Sequence, residues 1–176
     1  MRNMILLVLA LGMIAQVAPA EEVWTGPSIV FTRAENVDGW DPANMDQITD
    51  NVWITRLTGG GSIWNYVQDQ AVMENFTPCS GPYPTDTEWA FGDIADYDTL
   101  DYGPFLSAAF ADCWPFNMLN PSLPGVLHLI SEDIYIPIQF TYWSSGGTGG
   151  FQYTRGTREG VAADGSSWSS VKALFE

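Results

Sequence analysis

Ile134-Tyr-Ile-Pro-Ile-Gln-Phe-Thr-Tyr-Trp143 is the stretch on which the reading of the fold turns. Ile134, Ile136, Ile138, Phe140 and Tyr142 recur at period two, and Tyr135, Pro137, Gln139, Thr141 and Trp143 fill the alternate positions. Successive side chains of a strand leave on opposite faces, so this alternation predicts one core face and one half-wet face. Pro137 has no N–H for a ladder, which places the strand at a sheet edge or a bulge at that residue. Val126-Leu-His-Leu-Ile130 precedes it across the turn Ser131-Glu132-Asp133, and the glycine-rich loop 144–150 follows, leading to Phe151-Gln-Tyr-Thr-Arg155. Residues 125–155 therefore read as a three-stranded antiparallel meander.

Working outward, further strands are expected at 28–33, 52–57, 62–67 and 88–92, the second and third joined by Gly59-Gly-Gly61. Seven or so short strands divided by Gly, Pro and Asp turns predict an all-β fold, an antiparallel β-sandwich of jelly-roll-like type in one domain. Helical signals are sparse. Asp41 followed by Pro42 suits the cap and first position of a single turn. At the C-terminus, Trp168, Val171, Leu174 and Phe175 share a helical face, so a short helix is expected after a polar linker.

The first twenty residues, MRNMILLVLALGMIAQVAPA, run from a basic start through an apolar stretch to Ala18-Pro19-Ala20. That order is the signature of a cleavable secretion signal, and the apolar run of about twelve residues falls short of the roughly 20 that span a bilayer. The expected organisation is a signal peptide at 1–20, a β-sandwich domain at 21–155, and a linker with a short amphipathic segment at 156–176. The mature protein is expected outside the cytoplasm, secreted, periplasmic or at the cell surface, with no membrane contact after the signal is removed. Removing 20 of the 176 residues leaves about 156, an ordinary single-domain length.

Twenty-one acidic residues against six basic ones make a formal charge of −15. Nucleic acids and anionic membranes are bound by Lys and Arg neutralising phosphates, so the balance argues against both partners. It suits cations and neutral ligands. Cys79 and Cys113 are an even pair in a chain bound for an oxidising compartment, which predicts a disulfide.

Three blocks in order, Ile48-Thr-Asp-Asn-Val-Trp-Ile-Thr-Arg56, Thr87-Glu-Trp-Ala-Phe-Gly92, and His128-Leu-Ile-Ser-Glu-Asp-Ile-Tyr135 running on through Phe140 to Arg155, resemble a group of functionally uncharacterised secreted bacterial β-domain proteins. The resemblance implies an exported bacterial β module, often followed by a surface-sorting tail. It implies no catalytic residue. The stretch between Phe105 and Pro124 and the C-terminal tail depart from the shared pattern.

The residues offer four kinds of chemistry. A glycan hydrolase or lyase needs facing carboxylates, and the candidates are Glu88 with Glu132 or Asp133. His128 is the single histidine and lies in a strand pattern, which suits a half-buried structural imidazole better than a catalytic base. Calcium takes six to eight oxygens, and Asp38, Asp41, Asp46 and Asp50 offer them within a short span without matching an EF-hand; turn and cap roles are the competing reading. A second acidic run, Asp93, Asp96, Asp98 and Asp101, invites the same two readings. Eight tryptophans and seven tyrosines invite stacking on sugar rings, with Trp40, Trp64, Tyr66 and Trp143 as the rings nearest loops and Trp53, Phe91 and Phe140 assigned to the core. The leading expectation is an extracellular binding or adhesion module, carbohydrate-directed and calcium-supported, partnered by a glycan or a surface protein and without catalysis. The alternatives are the glycan-cleaving enzyme and a structural assembly protein that docks through edge strands or the C-terminal segment.

Overall fold

The computed structural model describes residues 19–59, 61–75, 81–106 and 117–160. The secretion signal expected at 1–20, but for its last two residues, the disulfide expected between Cys79 and Cys113, and the helix expected at the C-terminus fall outside the described residues.

The fold is all-β, built from two sheets. The larger contains β1 (Glu22–Val23), β2 (Ile29–Arg33), β6 (Thr87–Phe91), β7 (Gly125–Leu129), β8 (Ile134–Trp143) and β9 (Phe151–Arg155). Their order is β2-β9-β8-β7-β6, antiparallel throughout, with the short β1 added parallel to the start of β8. The smaller sheet is β3 (Asp46–Gln47), β4 (Trp53–Thr55) and β5 (Trp64–Asn65). One helix, α1 (Tyr66–Met73), follows β5 directly.

The meander expected at 125–155 is present, and its inward faces build the core. Leu127, Leu129, Ile134, Ile136, Ile138, Phe140, Phe151 and Tyr153 pack against Ile48, Val52, Ile54 and Ile63 from the smaller sheet and its flanks, with Trp89 and Phe105 between them. Burying this apolar surface is the main stabilising term of the domain.

Two features of the long strand differ from the alternation read in the sequence. β8 is central in the sheet, not an edge, and Pro137 is accommodated by a junction. Pro137 O accepts from Gly156 N at 2.9 Å on the side where β1 ends opposite Tyr135 and β9 ends opposite Ile138. A strand residue's N–H and C=O point toward the same neighbour, so the missing donor falls where one partner strand gives way to another. Gly156 permits this approach, because a Cβ there would come within 2.9 Å of the proline ring.

The second difference is a bulge between Phe140 and Tyr142, where Phe140 pairs with Tyr153 and Tyr142 with Gln152. One extra residue reverses the alternation. Tyr142 consequently faces solvent, 40% exposed, while Trp143 turns onto Phe105, Phe140 and Phe151.

Residues 62–67 do not form one strand either. The strand stops at Asn65, whose side chain accepts from Val67 N and starts α1. At the other end, domain contacts continue past Arg155: Gly26 N donates to Thr157 O, and the Arg158 guanidinium pairs with Glu22 at 2.6 Å.

Candidate functional site

Asn65 organises the surface that brings candidate ligand-binding rings together. Fully buried, it accepts from Trp53 N and Val67 N through Oδ1 and donates through Nδ2 to the carbonyls of Asn51 and Thr85. Asp69, one turn into α1, accepts from Asn65 N at 2.8 Å and from Thr85 N at 3.2 Å. Nearly every polar atom of the cap is therefore committed to backbone, which fixes β4 and the start of α1 against each other. Tyr66, the first helical residue, is thereby held beside Trp53, with centroids 6.1 Å apart and planes 13° from parallel.

Trp40 joins the pair from the preceding loop, its ring edge-on to Tyr66 at 6.3 Å. The loop is held by short-range caps. Asp38 accepts from Trp40 N, Asp41 accepts from Ala43 N, Asn44 donates to Asp38 O, and Thr55 Oγ1 donates to Gly39 O at 2.8 Å. Gly39 is needed for that approach, since a Cβ would lie 2.8 Å from Arg56 O. Trp40 is 36% exposed and Tyr66 and Trp53 are half-buried, so three rings form a continuous, solvent-reachable aromatic surface bordered by the exposed Asp38 and Asp41. Gln47, directly across from Trp53 in β3, adds an amide at its margin.

The four expected ligand-binding rings thus separate. Trp40 and Tyr66 meet. Trp64 does not join them: it lies on the same face of the small sheet as Trp53, opposite Thr55, but Leu57, Met73 and Tyr83 cover it, leaving it 1% exposed with its ring 4.8 Å from that of Tyr83. Trp143 lies over the large sheet beneath the Arg56 guanidinium, 3.8 Å from its centroid. Trp53, assigned to the core from sequence, is instead the third ring. Its neighbours Val52 and Ile54 are both fully buried, and strict alternation about them was the signal that Trp53 faces outward.

The aspartates separate as well. Asp38 and Asp41 act as turn and helix caps. Asp46 is unavailable to a cation, since Oδ2 accepts from Arg155 Nε at 2.7 Å and Tyr153 OH at 2.6 Å, and Oδ1 accepts from Arg155 Nη2 at 2.8 Å. Asp50 is exposed in the turn before β4. Asp93 accepts from Ala95 N and caps the 3-10 turn Ile94–Thr99, which also carries Asp96. Among the described residues, no group of three or more His, Cys, Asp or Glu side chains converges as a metal cage.

The carboxylates considered for glycan cleavage meet around an imidazole. Cross-strand register aligns Glu88, His128 and Tyr135 on the outer face of the large sheet. His128 Nδ1 lies 2.8 Å from Glu88 Oε1 and Nε2 lies 3.3 Å from Asp133 Oδ1, while the ring stacks on Tyr135 at 4.1 Å. Glu132 turns away and accepts from Thr49 Oγ1 at 2.6 Å. His128 therefore occupies the space between Glu88 and Asp133 that a glycosidic bond would require.

Phenols around this cluster and in the core hold their protons tightly. The hydrogen bond to Glu21 pushes Tyr97 up to about 12. Burial first raises both Tyr102 and Tyr135, followed by the Tyr135 phenol and Glu88 for Tyr102 and by Asp133 and Glu21 for Tyr135, and burial beside Asp46 raises Tyr153 well above its ordinary value. A phenol whose folded pKa exceeds its unfolded value of about 10 stabilises the fold fully below that pH and loses the contribution as pH rises through the folded pKa. The denaturant midpoint should therefore fall above about pH 10, and the folded protein should show less phenolate absorbance than the unfolded chain up to about pH 12. Matching titration curves for the folded and unfolded protein would contradict this.

No protein-family model matches the chain, no curated protein is similar to it, and no solved structure matches its fold. Among the described residues, no helix is long and apolar enough to cross a membrane.

Proposed function

We propose that the chain is an exported, non-catalytic binding module that holds a glycan against the Trp40–Tyr66–Trp53 surface. The observation that carries this reading is the contiguity of the three rings at the protein surface, from three separate chain segments, beside polar and acidic side chains. Aromatic faces stack on the apolar face of a pyranose, and amides and carboxylates orient its hydroxyls. Export is inferred from residues 1–20. The imidazole standing between Glu88 and Asp133 favours binding over cleavage.

Titration of the purified protein with neutral and charged oligosaccharides, with and without calcium, tests the reading. Trp40→Ala and Tyr66→Ala should each weaken binding about tenfold, the equivalent of about 1.4 kcal/mol, with the melting transition retained. Failure to bind any glycan under either condition would remove the carbohydrate assignment. Binding unchanged by both substitutions would place it elsewhere on the molecule.

A further inference from the structure

We infer that the glycan recognised by this surface carries free amino groups, and that polymers bearing carboxylate or sulfate are rejected. This rests on the aromatic surface being the sugar site and adds the charge class of its ligand.

The inference follows from the placement of every described cation. Arg33, Arg56 and Arg155 are buried, at 1%, 3% and 6% exposure. Their guanidinium groups face inward: Arg33 donates to the Val37 and Gly149 carbonyls, Arg56 to Gly150 O and to Ser144, and Arg155 to Asp46. Arg158 reaches solvent but is held by both oxygens of Glu22. Arg33 lies beneath the Val37–Gly39 loop and its charge is felt by Asp38, but its guanidinium is buried on carbonyls, so among the described residues none of these side chains presents a donor to an anion at the aromatic surface. Recognition of carboxylate or sulfate depends on such donors, above all on arginine forks.

The border of the surface has the opposite character. Asp38 and Asp41 flank Trp40 in the chain and are exposed, and Asp50 is exposed in the turn that leads into Trp53. An ammonium on a stacked sugar would meet carboxylates at the rim and the negative faces of tryptophan and tyrosine rings beneath. An anion would meet the same charges as repulsion. These rim charges are solvent-exposed, so their contribution should shrink as the screening length falls from about 30 Å at 0.01 M salt to about 8 Å at 0.15 M. Stacking should persist at both.

The test compares chitin oligomers of one length, fully acetylated and fully deacetylated, with a polygalacturonate oligomer. The titrations are run at about pH 5.5, where the amino groups of the deacetylated oligomer are protonated. The deacetylated oligomer should bind at least about fivefold tighter than the acetylated one at low salt, and the gap should close as salt is added. The uronate should not bind. Asp38→Asn with Asp41→Asn retains the capping oxygens, so the protein should stay folded while the preference for the amine disappears.

Equal binding of the acetylated and deacetylated oligomers, or binding of the uronate, would overturn the charge assignment and leave the aromatic surface as a sugar site. Amine binding that survives both Trp40→Ala and Tyr66→Ala would also overturn it, by showing attraction to diffuse charge. Binding by none of the oligomers would remove the sugar site and the charge assignment together.

Discussion

Replacing Asp46 by asparagine is expected to destabilise the protein by about 3–5 kcal/mol, the usual cost of leaving a buried charge without its partner. The Arg155 guanidinium is almost completely buried and makes two of its hydrogen bonds to Asp46. Burial opposes its charge, yet the hydrogen bonds and the charge of Asp46 outweigh burial and raise its pKa above the ordinary arginine value. Asparagine retains the shape and an acceptor for Tyr153 OH but supplies no negative charge. The pair also joins the two sheets, since Asp46 is in β3 and Arg155 in β9. Loss of the pair should therefore loosen β3 against the large sheet, and with it β4, which carries Trp53.

Denaturant unfolding measures the effect through the shift of the midpoint at constant slope. A double substitution, Asp46→Asn with Arg155→Met, should recover part of the loss, because an apolar replacement removes the stranded charge. A change below about 1 kcal/mol for Asp46→Asn would show that water or a rearranged neighbour compensates Arg155 in solution.

Trp89→Ala should cost a similar amount, about 3–5 kcal/mol, for a different reason. Trp89 is fully buried in β6, donates from Nε1 to Thr87 Oγ1 at 3.0 Å, and lies edge-on to Phe105 at 5.1 Å. Its backbone also exchanges two hydrogen bonds with Gly103, so the strand should remain while the ring's volume becomes a cavity. Trp89→Phe should lose appreciably less, since most of the apolar volume is retained. Domains of this kind have only about 5–15 kcal/mol of total stability, so the alanine variant should melt many degrees lower and its tryptophan fluorescence should report looser packing. Equal stability of the alanine and phenylalanine variants would show that the core closes over the site.

Sequence periodicity was enough for the central meander. The apolar positions of β7, β8 and β9 recur at period two, and turn residues separate them, so local geometry alone dictated strands and inward faces. It was also enough for the cap at Asp41 and the short turn after it, because an N-cap is a contact between near neighbours.

Only the tertiary structure decided how these pieces meet. Asp46 is 109 positions from Arg155, and no local pattern distinguishes a carboxylate destined for a buried ion pair from one that caps a turn. That the strand expected at 62–67 ends at Asn65 and residues 66–73 form a helix depends on Asn65 and Asp69 finding backbone partners near Thr85. Trp64 and Trp53 share a face of the small sheet, and Trp64 is buried only because Met73 of α1 and Leu57 cover it; the enclosure of His128 by Glu88 and Asp133 follows from which strands pair and in which register. Alternation specifies that two faces exist; which is covered, and by what, depends on free energy gained only when distant segments exclude water together.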